Sequence, residues 1–204
     1  MSVITKIVLA SGSPRRAELL AQIGVRFEVM RPEIDESPLS NESAIPYVER
    51  MSHSKYHSIR SLEGERRIPE ECIVLCADTI VVLDTEILGK PKSKEDGIQM
   101  LEDMSGKVHK VITSVTIGQY LQENSFFVET IVKFRILKRE ECVAYWLTGE
   151  PQDKAGGYAI QGIGSIFVEK ISGSYSNVVG LPLMETSQAL EGFGLSMLQA
   201  SVAC

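Results

Sequence analysis

The sequence predicts an α/β protein built on one mixed β-sheet flanked by helices. Three observations lead there. Apolar, β-branched runs alternate along the chain with segments of helical character. The most strongly apolar stretch, CIVLCADTIVVLD (72–84), reads as a central strand. Two strand-like runs then follow one another with only a short polar link, so a hairpin interrupts the alternation. At 204 residues, 44% of them hydrophobic, the chain suits one domain over 1–204 with enough apolar mass for a core.

Taken in order, KIVLA (6–10) reads as a buried strand and SGSP as the turn after it. Ser13 suits an N-cap, and Pro14 suits the first helical position, where a missing N–H costs nothing. RRAELLAQI continues that helix and Gly24 ends it. VRFEVM (25–30) is a second strand, and RPEIDESPLSNES (31–43) a polar loop with two prolines. A helix spans 44–62, and RRIPEE connects it to the central strand, which EILGKP extends through a turn. Ser93, with an acid three residues on, has the pattern of a capping box and opens a helix. KVHKVITSVTIGQ (107–119) and SFFVETIVKFRIL (125–137) form the hairpin around QENS. A helix over 138–149 closes at Gly149; a Gly-rich loop, EPQDKAGGYAIQGIGS, leads to the strand IFVEKISG and a last helix over 181–194.

The net charge of −6 argues against broad nucleic-acid binding, which needs a basic face, but leaves room for a local positive cluster on one anionic ligand. Cys72, Cys76, Cys142 and Cys204 are spaced too irregularly for a zinc module and are too few for a disulfide scaffold, so free thiols are expected. No apolar run reaches the length of a membrane span, and KIVLA is too short for a secretory core. Cys204 stands last rather than fourth from the end, so no prenylation box is expected. A soluble cytoplasmic protein is expected.

Arg15 and Arg16 fall in the first turn of a helix, where the exposed N–H groups already carry partial positive charge. Cations there are disfavoured by about 0.3–1 kcal/mol each unless an anion is present, and guanidinium groups match phosphate oxygens bidentately. A polyphosphate is one reading; Arg16 paired with an acid and Arg15 in water is the other. No Walker A loop or G-x-G-x-x-G is present. Asp78 sits inside an apolar strand, which is costly unless it is paired, metal-bound or at a strand end facing a cleft. The alternative is an Asp at a bend, satisfied by backbone N–H groups. Asp35 and Glu36 lie in a loop, where acids are common. Lys55 is on a helix, Lys90 in a turn within reach of the Asp78 sheet edge, and Gln161 in a glycine-rich loop that is either mobile surface or a base reader. His53 and His57 are spaced i, i+4 without a third ligand and read as solvated helix residues; His109 reads as structural.

The segments LASGSPRRAELL, IDES, CADTIVV, LGKP, SGKVHKVITSV, DKAGGYAIQG and GSYSNVVGLPL run nearly end to end in one order. In that order they resemble the Maf (septum-formation) family of nucleoside triphosphate pyrophosphatases. The resemblance implies a fold related to the inosine triphosphate pyrophosphatases, with two lobes around a central cleft, and often a homodimer. It implies hydrolysis between the α- and β-phosphates to a monophosphate and pyrophosphate, in house-cleaning of the nucleotide pool, with Mg²⁺ or Mn²⁺ as cofactor. By position, Ser11, Arg15 and Arg16 match the phosphate-binding loop. Glu36 matches the acid near metal or water, Lys55 the helix lysine, Asp78 the general base and second metal-side carboxylate, and Lys90 the lysine of GKP. Around Lys55 this chain has RMSHSKYHS, where the family more often has alanines. Arg15, Thr79 and Gln161 match positions tied to nucleotide choice, and the ADT and YAIQG forms resemble the branch acting on dTTP and UTP. Two rivals are a 7-methyl-GTP-type pyrophosphatase, disfavoured by Thr79 and Gln161, and a non-catalytic nucleotide-binding regulator of septum formation, disfavoured by the retained acids and lysines.

Overall fold

The computed structural model describes residues 6–200. Seven strands form one mixed sheet: β1 Ile7–Ala10, β2 Phe27–Met30, β3 Ile73–Leu83, β4 Glu86–Leu88, β5 Val108–Gln119, β6 Gln122–Phe134 and β7 Val168–Ser172. Their order is β2-β1-β3-β5-β6-β7, with β4 paired to β3. β2, β1 and β3 run parallel, and β3, β5, β6 and β7 are antiparallel neighbours, so the mixed α/β expectation holds. The helices are α1 Pro14–Gln22, α2 Ala44–Arg60, α3 Lys94–Met104, α4 Arg139–Leu147, α5 Tyr175–Val179, α6 Leu183–Gly192 and α7 Met197–Ala200. Among the described residues, no helix is long and apolar enough to cross a membrane.

β3 shows how the core is layered. Ile73, Leu75, Ala77, Val81 and Leu83 pack into a large cluster with Leu19 and Leu20 of α1 and Ile98, Leu101 and Met104 of α3. The alternate residues Val74 and Cys76 pack on Tyr56 and Ile59 of α2, and Ile80 and Val82 on Val48 of α2. Side chains alternate between faces along a strand, so this two-sided burial explains why β3 reads as continuously apolar. The same alternation sends Asp78 to the α2 face and Thr79 to the α1 face.

One edge of β3 is filled by β5 over residues 74–82. On the other edge β1 pairs with Ile73–Cys76, and β4 pairs with Val81–Leu83. Between them, on that edge alone, Ala77–Ile80 carry no strand partner among the described residues. Asp78 and Thr79 therefore stand at an opening in the sheet beyond the C-terminal end of β1. Ligands of open α/β sheets favour this place.

Local chemistry accounts for most element ends. Pro14 is at the first position of α1, and Gly24 follows the helix at φ +78°. Ser13 occupies the N-cap position, but its side chain makes no cap bond. Ser93 caps α3 as expected, its hydroxyl accepting from Asp96 N at 3.1 Å. The reciprocal arm is displaced by one residue: Asp96 accepts from Lys92 N at 2.8 Å.

Several expectations are corrected. The β5–β6 turn is Tyr120–Leu121, because Gln119 pairs with Gln122; QENS belongs to β6. Those polar residues lie at the solvated end of the hairpin. The turn carries no Gly or Asn signal, and Tyr120 adopts φ +54°, anchored by its N–H to Glu70 O at 2.8 Å. Of EILGKP, only Glu86–Leu88 is strand, folding back through Asp84–Thr85 as β4 beside β3. Residues 150–167 form a series of 3₁₀ turns, so β7 begins only at Val168. The short helices α5 and α7 lie outside the sequence reading. Cys72, Cys76 and Cys142 are free and buried; Cys204 lies outside the described residues.

Candidate active site

The opening in the sheet collects charged side chains from both faces. On the α2 face, Lys55 Nζ lies 2.5 Å from Asp78 Oδ1 and 2.8 Å from Glu36 Oε1. Lys55 and Asp78 have only 10% and 13% of their side-chain surface exposed, while Glu36 keeps 50%. Asp78 is thus paired with an ammonium group, not satisfied by a bend of its own backbone.

Glu36 reaches this point because its loop is strapped to α2. Tyr47 Oη donates to Glu36 O at 2.8 Å, and Arg50 Nη2 donates to Ser37 O at 3.1 Å. Arg50 also grips Glu42 with both nitrogens of its fork. Asp35 turns the loop, accepting from Ser37 N at 2.9 Å. Partial burial pushes the Glu36 carboxyl up, but the hydrogen bond and charge of Lys55, with the charges of Lys90 and Arg16, leave it below the ordinary value. Burial, then the negative charges of Asp78 and Glu36, push the Tyr47 phenol up to about 12.

On the α1 face, Arg16 is the hub. Its Nε donates to Gly180 O at 2.8 Å, one terminal nitrogen to Thr79 Oγ1 at 2.8 Å and the other to Ser11 Oγ at 3.3 Å. Thr79 is braced in turn by Thr113 at 2.9 Å, and Thr113 donates to Asn177 O at 3.1 Å. Burial holds Arg16 below the usual arginine range, opposed first by the charge of Asp78. The guanidinium and the aspartate therefore share one electrostatic neighbourhood, although their side chains rise from opposite faces of β3.

Arg15 is half-buried and makes no hydrogen bond to the described residues. Burial lowers it, and the nearby charge of Glu150 opposes that shift. Lys90 is exposed; it acts on Glu36 through charge, without direct contact. Its turn is tied to the Gly-rich loop by Gly156 N donating to Gly89 O at 3.0 Å. Gly156 sits at φ +68°, and a Cβ there would lie 3.0 Å from Val81, so only glycine lets this loop seat against β3. Gln161 is exposed on the same loop and forms no direct contact with the lysine–carboxylate or Arg16 clusters.

Sequence reasoning missed four contributors. Gly180 supplies a carbonyl from a segment too short to read as a helix. Thr113 looked like one more β-branched strand residue. Tyr47 and Glu150 act through tertiary contacts alone. Glu150 organises the Gln161 loop: its carboxylate accepts from Tyr145 Oη at 2.6 Å, Ile163 N at 2.9 Å and Gly164 N at 3.0 Å. Tyr145 Oη accepts from Ala159 N at 3.0 Å, so the loop is held on both sides of Gln161.

Comparison with known proteins places the family and the fold. A Vibrio cholerae protein named dTTP/UTP pyrophosphatase is 48% identical over 190 residues, covering 93% of this chain and 99% of its own length. A Pseudoalteromonas atlantica protein of the same name is 47% identical over 93% of this chain and 98% of its own length. Among solved structures, a HAM1 protein from Coxiella burnetii superposes with a TM-score of 0.50 at 13% identity, over 93% of this chain and all of that one; this bears on the fold alone. Residues 6–193 match the family described as Maf-like protein, and since that span contains the whole sheet and every side chain of the site, the chain belongs to the Maf family.

Proposed function

We propose that this protein hydrolyses dTTP and UTP to the nucleoside monophosphate and pyrophosphate. The relatives of that name, matched over nearly their full length, support the reaction. The observation that carries it in this chain is Lys55, held between Asp78 and Glu36 at the sheet opening, with Arg16 directly across β3.

A nucleoside triphosphate brings about four negative charges, and electrostatic stabilisation is the largest catalytic contribution such a site can make. Arg15, Arg16 and Ser11, at a helix N-terminus whose N-cap side chain leaves the N–H groups open, bind the phosphates. Lys55 and Lys90 neutralise charge that develops on the leaving pyrophosphate. Asp78 orients the attacking water and accepts its proton as the water oxygen bonds to the α-phosphorus; the bond to the bridging oxygen breaks and its electron pair leaves with pyrophosphate. Thr79, Arg15 and Gln161 set the preference for a pyrimidine base, with Gln161 reading the base edge by donating and accepting together.

Glu36 and Asp78 also fit a divalent cation. Both carboxylates, held by the one ammonium group of Lys55, are hard oxygen donors, and Mg²⁺ or Mn²⁺ binds through few carboxylates plus substrate phosphates. When bound, that ion supplies Lewis-acid polarisation of a phosphoryl oxygen.

The test is purified protein with Mg²⁺ or Mn²⁺ and each common and modified triphosphate in turn, with phosphate and pyrophosphate separated in the products. Conversion of UTP and dTTP to monophosphate and pyrophosphate is expected. Release of single phosphates, or turnover confined to methylated purine nucleotides, overturns the reading.

A further inference from the structure

Beyond the cleft, α2 carries two imidazoles, His53 and His57, on its outward side. Their spacing resembles half a metal site, and the sequence around them offers no third ligand. The fold supplies one. Glu123, at the start of β6, places Oε1 2.8 Å from His53 Nδ1 and Oε2 3.7 Å from His57 Nε2. All three ligand atoms lie within 4.8 Å of one another. The expectation of two solvated helix histidines is corrected to that extent.

We propose that His53, His57 and Glu123 bind a borderline transition-metal ion, Zn²⁺, at a site separate from the phosphate-binding cleft. The donor set carries the assignment. Two imidazole nitrogens and one carboxylate select Zn²⁺ and its late first-row neighbours over Mg²⁺ and Ca²⁺, which prefer oxygen alone. Bonds of about 2.0–2.1 Å in a tetrahedral arrangement put ligand atoms about 3.3 Å apart. The present spacings bracket that value, so small side-chain rotations close the site without moving backbone. The two rings are within 20° of parallel with centroids 6.3 Å apart, set by one turn of α2. The edge of Tyr56 packs against His57, with centroids 5.3 Å apart, which limits the ring's freedom. Side-chain exposures of 41%, 64% and 28% for His53, His57 and Glu123 leave an entry path and room for water as a fourth ligand.

The bound ion would clamp α2 to the β5–β6 hairpin. Lys55 lies on α2 between the two histidines, pointing to Asp78. The clamp therefore fixes the helix that delivers a lysine to the cleft, without entering the cleft. This inference does not depend on the proposed nucleotide reaction.

The test titrates the chelator-stripped full chain with ZnCl₂ by calorimetry, with Co²⁺ absorption as a second reading of ligand geometry. One equivalent of Zn²⁺ is expected in the parent and, unchanged, in Asp78→Asn. Binding weakens about tenfold or more in His57→Ala and disappears in the triple variant His53→Ala, His57→Ala, Glu123→Ala. The thermal midpoint should rise with Zn²⁺ in the parent and stay put in the triple variant, whose circular dichroism should match the parent's. Equal Zn²⁺ binding by the triple variant overturns the proposal. So does a parent that takes up no Zn²⁺, or an Asp78→Asn protein that loses it, since the ion would then belong to the cleft.

Discussion

Asp78 and Arg16 act on each other through charge across β3, and they fail differently when changed. Asp78→Asn keeps shape and removes the proposed proton acceptor, leaving Lys55 still paired with Glu36. Its kcat for UTP should fall by roughly 10²–10⁴-fold with an unchanged urea midpoint. A parental rate in a steady-state assay would remove Asp78 from the mechanism. Arg16→Lys keeps the charge but cannot span Gly180, Thr79 and Ser11 together. Losing one charge-assisted hydrogen bond, worth about 1.5–3 kcal/mol, should lower kcat/KM by roughly 10–100-fold. Single residues were legible where their type conflicted with its surroundings, as a carboxylate in an apolar strand or two arginines in a helix's first turn. Thr113 and Tyr47 were not, because a threonine in a strand and a tyrosine on a helix violate nothing. Their roles arise from neighbours 34 and 11 residues away.

At the scale of elements, two contacts decide how the site is framed. Gly97, inside α3, faces Trp146 of α4; a Cβ there would come within 2.3 Å of the indole. In an exposed helix Gly→Ala stabilises by about 1 kcal/mol, but here overpacking wins, and Gly97→Ala should destabilise by roughly 1–3 kcal/mol in urea denaturation. Glu150→Gln leaves one acceptor oxygen for Tyr145, Ile163 and Gly164, and loosens the loop on both sides of Gln161. In UTP titrations its KM should rise more than its kcat falls. Element identity was readable from period and punctuation: β1, α1, β3 and α3 fall where apolar spacing, Pro14, Gly24 and Ser93 put them. Turns without a signature were not. Tyr120–Leu121 closes a hairpin because β5 and β6 hold their register and Glu70 anchors Tyr120, a tertiary effect no local pattern encodes. Likewise the 3₁₀ turns of 150–167 owe their form to the Glu150 and Tyr145 side chains rather than to their glycines alone.

The molecule as a whole should answer to pH through its buried histidine. His109 is 1% exposed, its Nε2 is 2.8 Å from Tyr158 Oη, and burial holds its pKa at about 4 against 6.5 in the open chain. Above pH 6.5 both states are neutral there and folding loses nothing. As pH falls from 6.5 toward 4 the unfolded chain takes up the proton first, so stability drops across that window by up to about 3 kcal/mol, and this source of loss ends below pH 4. Urea midpoints measured from pH 7 to 4.5 should show this slope in the parent and a flatter one in His109→Gln. The chain's architecture has another consequence, set by the plainest property of an extended strand. Positions 78 and 79 are neighbours in sequence, yet they serve opposite sides of one stiff ribbon. The side chain paired with the Lys55 ammonium and the one beside the Arg16 guanidinium can each be exchanged without repacking the other. Deleting a single residue upstream in that ribbon would instead transpose the two duties, sending a carboxylate toward the guanidinium and a hydroxyl toward the ammonium.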